Sequence, residues 1–197
     1  MTPMVKLEIL VLKGWTIYHL TLVAIFAAIL LFAAINALVM RTNGGYALSA
    51  EASLPYSIDQ LWQWTTVNEK RSKWQVGTYD MARLRGESTE AKSTRMLFFM
   101  DGEKSWTGVE TTLETMAPTL WLSQQETTTM MRIYKVTLEA SGPCKTKVSI
   151  NENTKLYDFT ERFWLFWTKS EQQERLNYSL RQLKTWMSHK GEVCDAA

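Results

Sequence analysis

Histidine and cysteine are scarce in this chain, with two of each in 197 residues. A Cys/His zinc cluster, a multi-disulfide framework and a haem-attachment motif all need more. Neither sign of charge is in surplus: 22 Lys and Arg stand against 20 Asp and Glu, a net +2, which leaves no basic footprint for nucleic acid. Nine glycines and four prolines exclude collagen-like and low-complexity architecture. No Walker A loop, dinucleotide-binding glycine fingerprint, HExxH helix or EF-hand loop occurs. His19 and His189 lie near the two ends of the chain, so a hydrolytic triad built on a histidine base has no candidate in the middle. With 46% hydrophobic and 21% charged residues the sequence is not that of a disordered segment. The length suits one ordinary domain with a small appendage. What the chain has in abundance is tryptophan, nine residues, and that much indole must be buried or placed at an interface.

No formal charge stands between Lys13 and Arg41. As a helix, the 27 residues from Gly14 to Met40 would run about 40 Å, more than the roughly 30 Å of bilayer hydrocarbon. Trp15, Tyr18 and His19 sit at the first end of this run, where amphipathic rings favour the membrane interface. A cleaved signal peptide has an apolar core of roughly 7–15 residues and a small-x-small cleavage site. This run is about twice as long, and Asn36-Ala37-Leu38-Val39-Met40 is a poor cleavage sequence. Residues 14–40 are therefore predicted to be an uncleaved single-pass transmembrane helix behind an N-terminal flank, 1–13. Lys6, Lys13 and the free amine precede it and only Arg41 follows closely, which favours a cytoplasmic N-terminus and a domain on the far side, periplasmic in a bacterium. Cys144 and Cys194 could pair in such an oxidising compartment, but sequence spacing alone does not show that they meet.

Beyond a linker at 41–45, containing Asn43-Gly44-Gly45, the pattern is that of one soluble domain. Tyr46 to Leu54 reads as a strand stopped by Pro55. Ser57 with Gln60 forms a capping box opening a short helix whose apolar face is Leu61, Trp62, Thr65 and Val67. From Tyr79 to about Asn153, short extended runs are separated by the turn sequences Arg85-Gly86-Glu87, Asp101-Gly102 and Ser141-Gly142-Pro143. Tyr134, Val136 and Leu138 alternate with polar residues, as do Val148 and Ile150, the mark of half-buried antiparallel strands. A last helix is predicted over Asp158 to Met187, with Phe159, Phe163, Trp167, Leu176, Leu180, Leu183 and Met187 at helical spacing. Residues 188–197 form a polar tail. Strand, short helix, five or six antiparallel strands and a long helix make an α+β domain, and one curved sheet with the helix across its concave face is the packing solution.

Within that order, Leu54-Pro55-Tyr56-Ser57-Ile58-Asp59-Gln60-Leu61-Trp62, Asn68 to Trp74, Thr115-Met116-Ala117-Pro118 before Leu120-Trp121-Leu122, and Thr146 to Glu152 resemble the START-like, or SRPBCC, superfamily, which includes polyketide cyclase/dehydrase-like proteins. The likeness covers 46–187. It departs at Asn68 to Lys73, where relatives often carry a proline before the tryptophan. The resemblance implies a helix-grip fold: a curved antiparallel sheet wrapped around a long C-terminal helix, with an apolar cavity between them. It also implies that Glu103, Glu110, Glu126 and Tyr134 could face that cavity, where family enzymes place isolated acids and tyrosines; none is assigned a catalytic role.

The aromatic residues are the expected binding groups. Phe98, Trp106, Trp121 and Tyr134 from strands, with Phe163 and Trp167 from the long helix, are the expected ligand-lining set. Phe163-Trp164-Leu165-Phe166-Trp167 covers more than one helical face, so Trp164 and Phe166, together with Trp15 and Tyr18, are expected to meet membrane or partner. The function these features suggest is membrane-tethered binding of an apolar small molecule, such as a lipid, quinone or isoprenoid, without catalysis, metal or cofactor. The alternatives are an accessory subunit of a larger membrane complex, docking through its anchor and aromatic surface, and a cyclase- or hydrolase-like enzyme. The expected partners are the bilayer and that ligand or complex, not nucleic acid.

Overall fold

The computed structural model describes residues 17–35, 44–190 and 194. The chain divides into two compact units, Met1–Asn43 and Gly44–Ala197. In the first, helix α1 (Ile17–Ile35) has 19 residues, long and apolar enough to cross a membrane, a rise of about 28 Å against about 30 Å of hydrocarbon. It is apolar all round, and its large apolar side chains from Ile17 to Phe32 are exposed. Its hydroxyl at Thr21 donates back to the Ile17 carbonyl at 2.8 Å, so this polar group is satisfied within the helix. Trp15 and the ends of the expected 14–40 span fall outside the described residues.

The second unit begins with strand β1 (Gly45–Leu54), two short helices, α2 (Ile58–Thr66) and α3 (Asn68–Trp74), and six strands. These are β2 (Thr78–Arg85), β3 (Thr94–Asp101), β4 (Lys104–Met116), β5 (Leu120–Glu126), β6 (Met130–Gly142) and β7 (Lys145–Leu156). Helix α4 (Phe159–His189) closes the unit. The predicted capping box is present, Ser57 and Gln60 each receiving the other's backbone N–H. Asp158 caps α4 by accepting from the N–H groups of Thr160 and Glu161, and these bonds hold its carboxyl below the usual carboxylate range. The hairpin between β3 and β4 turns at Gly102 with φ +59°, a left-handed conformation that glycine adopts without penalty.

All seven strands form one antiparallel sheet in the order β1-β7-β6-β5-β4-β3-β2. Leu176, Leu180, Leu183 and Met187 of α4 pack on the inner face of this sheet against Leu48, Ala50, Leu54, Val136, Leu138, Val148 and Ile150. Each such large apolar side chain, fully buried, contributes roughly 1.5–3 kcal/mol. The edge strand β1 does not present a free edge here, since Gln173 donates to the Ser49 carbonyl at 2.8 Å. On α2 the buried set is Leu61, Trp64, Thr65 and Thr66. Trp62 is only partly buried. Trp64 takes the interior position expected for Trp62, and its carbonyl receives the Trp74 indole N–H at 2.8 Å.

The first half of α4 departs from the expected apolar stripe. Trp167 is 50% exposed. The reason is angular: nine residues separate it from Leu176, and at about 100° per residue that places it roughly 180° away, on the opposite side of the helix. Cys144 and Cys194 are joined in a disulfide, with Cα atoms 5.5 Å apart, which ties the C-terminal tail to the β6–β7 turn.

Candidate functional site

The inner face of the sheet changes character along the strands. Across one cross-strand row run Ala50, Ile150, Val136 and Trp121. The next row is Leu48, Glu152, Tyr134, Ser123 and Thr112, and the one after it Tyr46, Thr154, Arg132, Gln125, Glu110 and Arg95. Beyond the charged row the face is apolar again, with a small cluster of Met81, Leu97 and Phe99. A polar band therefore lies between two apolar regions on the side of the sheet that the long helix covers.

Glu110, fully buried, is the centre of that band. Arg71, presented by α3 as the middle of its buried face Asn68, Arg71 and Trp74, grips it with both terminal nitrogens, at 2.6 and 3.0 Å. Arg95 approaches from β3 at 3.2 Å. Ser123 and Gln125 donate to the same carboxylate at 2.9 and 2.7 Å. Burial pushes the Glu110 carboxyl up, but the Arg71 charge, its hydrogen bonds and Arg95 outweigh it and hold the group below the usual carboxylate range. Arg95 is lowered to about 10, by burial first and then by Arg71, and stays charged at neutral pH. It spends its remaining donors on Asn68, Thr66, Ser88 and Thr112.

A second ionic group adjoins the first. Glu152 receives Arg175 of α4 at 2.7 Å and Arg132 at 3.5 Å on one carboxylate oxygen. Arg132 also reaches Thr154 at 3.3 Å and Gln125 at 3.4 Å; burial works against its charge, and Glu152 with Tyr46 more than restores it. The two groups together hold four guanidiniums and two carboxylates. The Arg71 guanidinium lies 4.3 Å from the centre of the Trp121 ring and 5.1 Å from that of Tyr134, and Trp121 and Tyr134 meet edge to face.

Of the six residues expected to line a ligand pocket, the five whose side chains are described do not come together as one set. Trp121 and Tyr134 come together, fully buried, but as the aromatic bed under Arg71. Phe98 is not with them: on β3 the inward residues are Arg95, Leu97 and Phe99, so alternation turns Phe98 to the outer face, against Tyr79. Trp106 is on the inner side at the rim, stacked on Phe99 and 42% exposed. Trp167 faces outward beside Trp164, their rings 5.8 Å apart. The side chains of Phe163 and Phe166 and the whole of Trp15 lie outside what is described, and Tyr18 sits exposed on α1. Of the expected cavity acids, Glu110 is buried inside, whereas Glu103 and Glu126 are exposed. Among the described residues no group of three or more His, Cys, Asp or Glu is arranged to hold a metal. Arg71, Arg95, Arg132 and Glu152 are interior residues, and Arg175 a half-buried one, that sequence reasoning passed over.

No family model and no curated protein matches this chain. Solved structures do. A protein from Thermus thermophilus superposes with a TM-score of 0.60 at 11% identity, over 71% of this chain and 95% of its own. The major latex-like protein 151 of Panax ginseng gives 0.53 at 8% identity, over 72% and 96%. Ara h 8.0201 gives 0.54 at 12%, over 74% and 99%. The fold is the helix grip. Its Bet v1-like neighbours match nearly their full lengths, and the part of this chain left over is about the size of the N-terminal unit. At these identities the likeness concerns the fold; the arginine-lined band is a property of this chain's own residues.

Proposed function

We propose that this protein is a membrane-tethered helix-grip protein that binds an apolar small molecule, of the lipid, quinone or isoprenoid kind, between sheet and long helix. The observation that carries the reading is the polar band inside the grip. Burying three guanidiniums and two carboxylates costs several kcal/mol per ion before pairing repays it, and a well-packed apolar interior would be at least as stable. Departures of this sort from the pattern of a plain core mark functional sites. Here the departure lies between sheet and long helix, with apolar surface on both sides of a few convergent polar groups, the composition of a small-molecule site. Titrating a fluorescent fatty acid or an isoprenoid into the full chain, with tryptophan emission as the signal, tests it. Saturable binding at micromolar concentration is expected; none, with the protein folded, sinks the reading.

The tether is α1. Nine positions separate Ile35 from Gly44, at most about 30 Å of extended chain. Gly44 lies against the start of α4: the Leu156 N–H donates to the Gly44 carbonyl at 2.9 Å, and Arg162 to the Leu156 carbonyl at 2.8 Å. The exposed Trp164 and Trp167 follow within two turns of Arg162. The covalent connection therefore favours contact of these indoles with the bilayer interface, where tryptophan is enriched, and tethering lowers the entropic cost of that contact. Alkaline carbonate extraction followed by intact mass is expected to find the whole chain in the membrane fraction. Replacing both indoles by serine is expected to raise protease accessibility of the first turns of α4 in vesicles without changing extraction.

The disulfide favours a domain on the oxidising side of that membrane, in agreement with the positive residues ahead of the span. In cells, a membrane-permeant maleimide is expected to label the protein only after reduction. Labelling without reductant would place the domain in a reducing compartment.

A further inference from the structure

Two buried polar atoms of the band have no hydrogen-bond partner among the described residues: the Tyr134 hydroxyl and one carboxylate oxygen of Glu152. The residues are direct cross-strand partners, on the inner face, each 1% exposed. Directly opposed side chains on one face of an antiparallel pair have Cβ atoms about 4.5–5.5 Å apart. Unpaired buried polar groups are rare in folded proteins and each asks for an explanation. The other Glu152 oxygen is already engaged by Arg175 and Arg132, so what stands open is one carboxylate oxygen and, on the residue paired with it across the strands, one O–H donor.

We infer that this pair is the seat for the hydroxyl head of an amphipathic alcohol. The inference rests on the ligand-binding reading above. A hydroxyl is the small group that satisfies both atoms at once: it accepts from Tyr134 and donates to Glu152, the latter a charge-assisted bond of the stronger kind. A quinone carbonyl accepts but cannot donate, and leaves the carboxylate oxygen open. A carboxylate head brings two acceptors and a negative charge to the Glu152 oxygen, with nothing to give it. An alkyl ether likewise accepts only. Arg175, whose side chain is 19% exposed, is the member of this group that reaches from the buried pair toward solvent, and Met81, Leu97 and Phe99 furnish apolar surface beyond the arginine row for a tail.

The test uses the full chain held in amphipol, titrated with farnesol, with 1-tetradecanol and with the methyl ether of each, followed by tryptophan emission. Wild type is expected to bind each alcohol at least tenfold more tightly than its ether. Tyr134→Phe is expected to weaken alcohols and ethers alike by at least about threefold while the preference for alcohol, which comes from donation to Glu152, persists, with thermal stability no lower than wild type, because the deleted hydroxyl has no protein partner to lose. Equal affinity of wild type for alcohol and ether overturns the inference, assigns the two atoms to trapped water and leaves the binding reading standing. Alcohol affinity that Tyr134→Phe leaves unchanged also overturns it. Failure of all four probes to bind overturns the binding reading itself, and the inference with it.

Discussion

Glu110→Ala is expected to be among the most damaging single substitutions in the helix-grip unit, costing about 3–5 kcal/mol of folding stability. The magnitude follows from what it leaves behind. Removing one partner of a buried ion pair strands the other charge in a medium that solvates it poorly, and here two guanidiniums are stranded at once. Arg71 keeps Gln75, at 2.6 Å, and the Trp121 face; Arg95 keeps its bonds to Asn68, Ser88 and Thr112. Ser123 and Gln125 also lose their acceptor. Thermal unfolding of the full chain, followed by near-ultraviolet circular dichroism, is expected to show a midpoint lower by on the order of 10 °C for a domain of this size. Glu110→Gln, which keeps the shape and one acceptor oxygen, is expected to fall between. The comparison substitution is Glu51→Ala. Its ion pair to Lys147 is shorter than the Arg95 contact, 2.7 Å against 3.2 Å, but solvent-exposed, so its loss is expected to be indistinguishable from wild type. Equal effects of the two substitutions would mean that the buried network carries no special weight.

The same network sets an acid limit. The folded-state carboxyl of Glu110 lies below the 4.5 of an unperturbed glutamate. A depressed carboxylate binds its proton less readily in the folded than in the unfolded chain, so its contribution is fully present above about pH 4.5. It is lost as pH falls through the lower folded value. Wild type is expected to lose stability steeply in that range, and Glu110→Gln to lose less there. Asp158, held down by the α4 N-terminal N–H groups, titrates in the same direction, and the difference between wild type and Glu110→Gln isolates the interior group from it.

Why the strands and helices are legible in the sequence while the interior is not can be argued from β6 and β7. Tyr134, Val136 and Leu138 alternate clearly enough to be read as one face, and so do Val148 and Ile150. The same period of two, carried back two residues to Arg132 and forward two to Glu152, puts both inside. An arginine and a glutamate at such positions look like strand ends facing solvent, because charged residues are almost never buried unless paired, and the pairing partner is far along the chain. Arg71 illustrates the distance: 39 residues separate it from Glu110, and within Asn68 to Lys73 nothing marks it apart from Lys70 or Lys73. On β3 the difficulty is of another kind. Met96 and Phe98 on one face are as apolar as Leu97 and Phe99 on the other, so alternation gives no face preference and nothing in the pattern turns Phe98 outward. The long helix is not a single stripe because Trp167 stands roughly 180° around the helix from Leu176. Helical spacing is satisfied within each half and broken between them.

Trp121→Ala is expected to cost about 3–5 kcal/mol, the range for deleting a fully buried aromatic side chain, and its conservative counterpart carries the mechanistic information. Trp121 is fully buried, and its indole N–H has no partner among the described residues. Trp121→Phe therefore sacrifices volume and a stronger aromatic face, but no hydrogen bond. Its cost is expected to be about 1.5 kcal/mol, the bound for well-tolerated core swaps, with a share from the weaker cation–π contact to Arg71. Because Arg71 lies over the Trp121 ring, the ring's first duty on this geometry is to hold a guanidinium that in turn holds Glu110. Trp121→Phe combined with Glu110→Gln should then be less costly than the sum of the two, since both weaken the same guanidinium's setting, and a double-mutant cycle measures that coupling directly. Probe affinity separates this from a ligand-wall role. If Trp121 acts through Arg71, affinity for farnesol is expected to stay within about twofold of wild type in Trp121→Phe while stability falls. Affinity lost with stability retained would return the ring to the wall of the binding site.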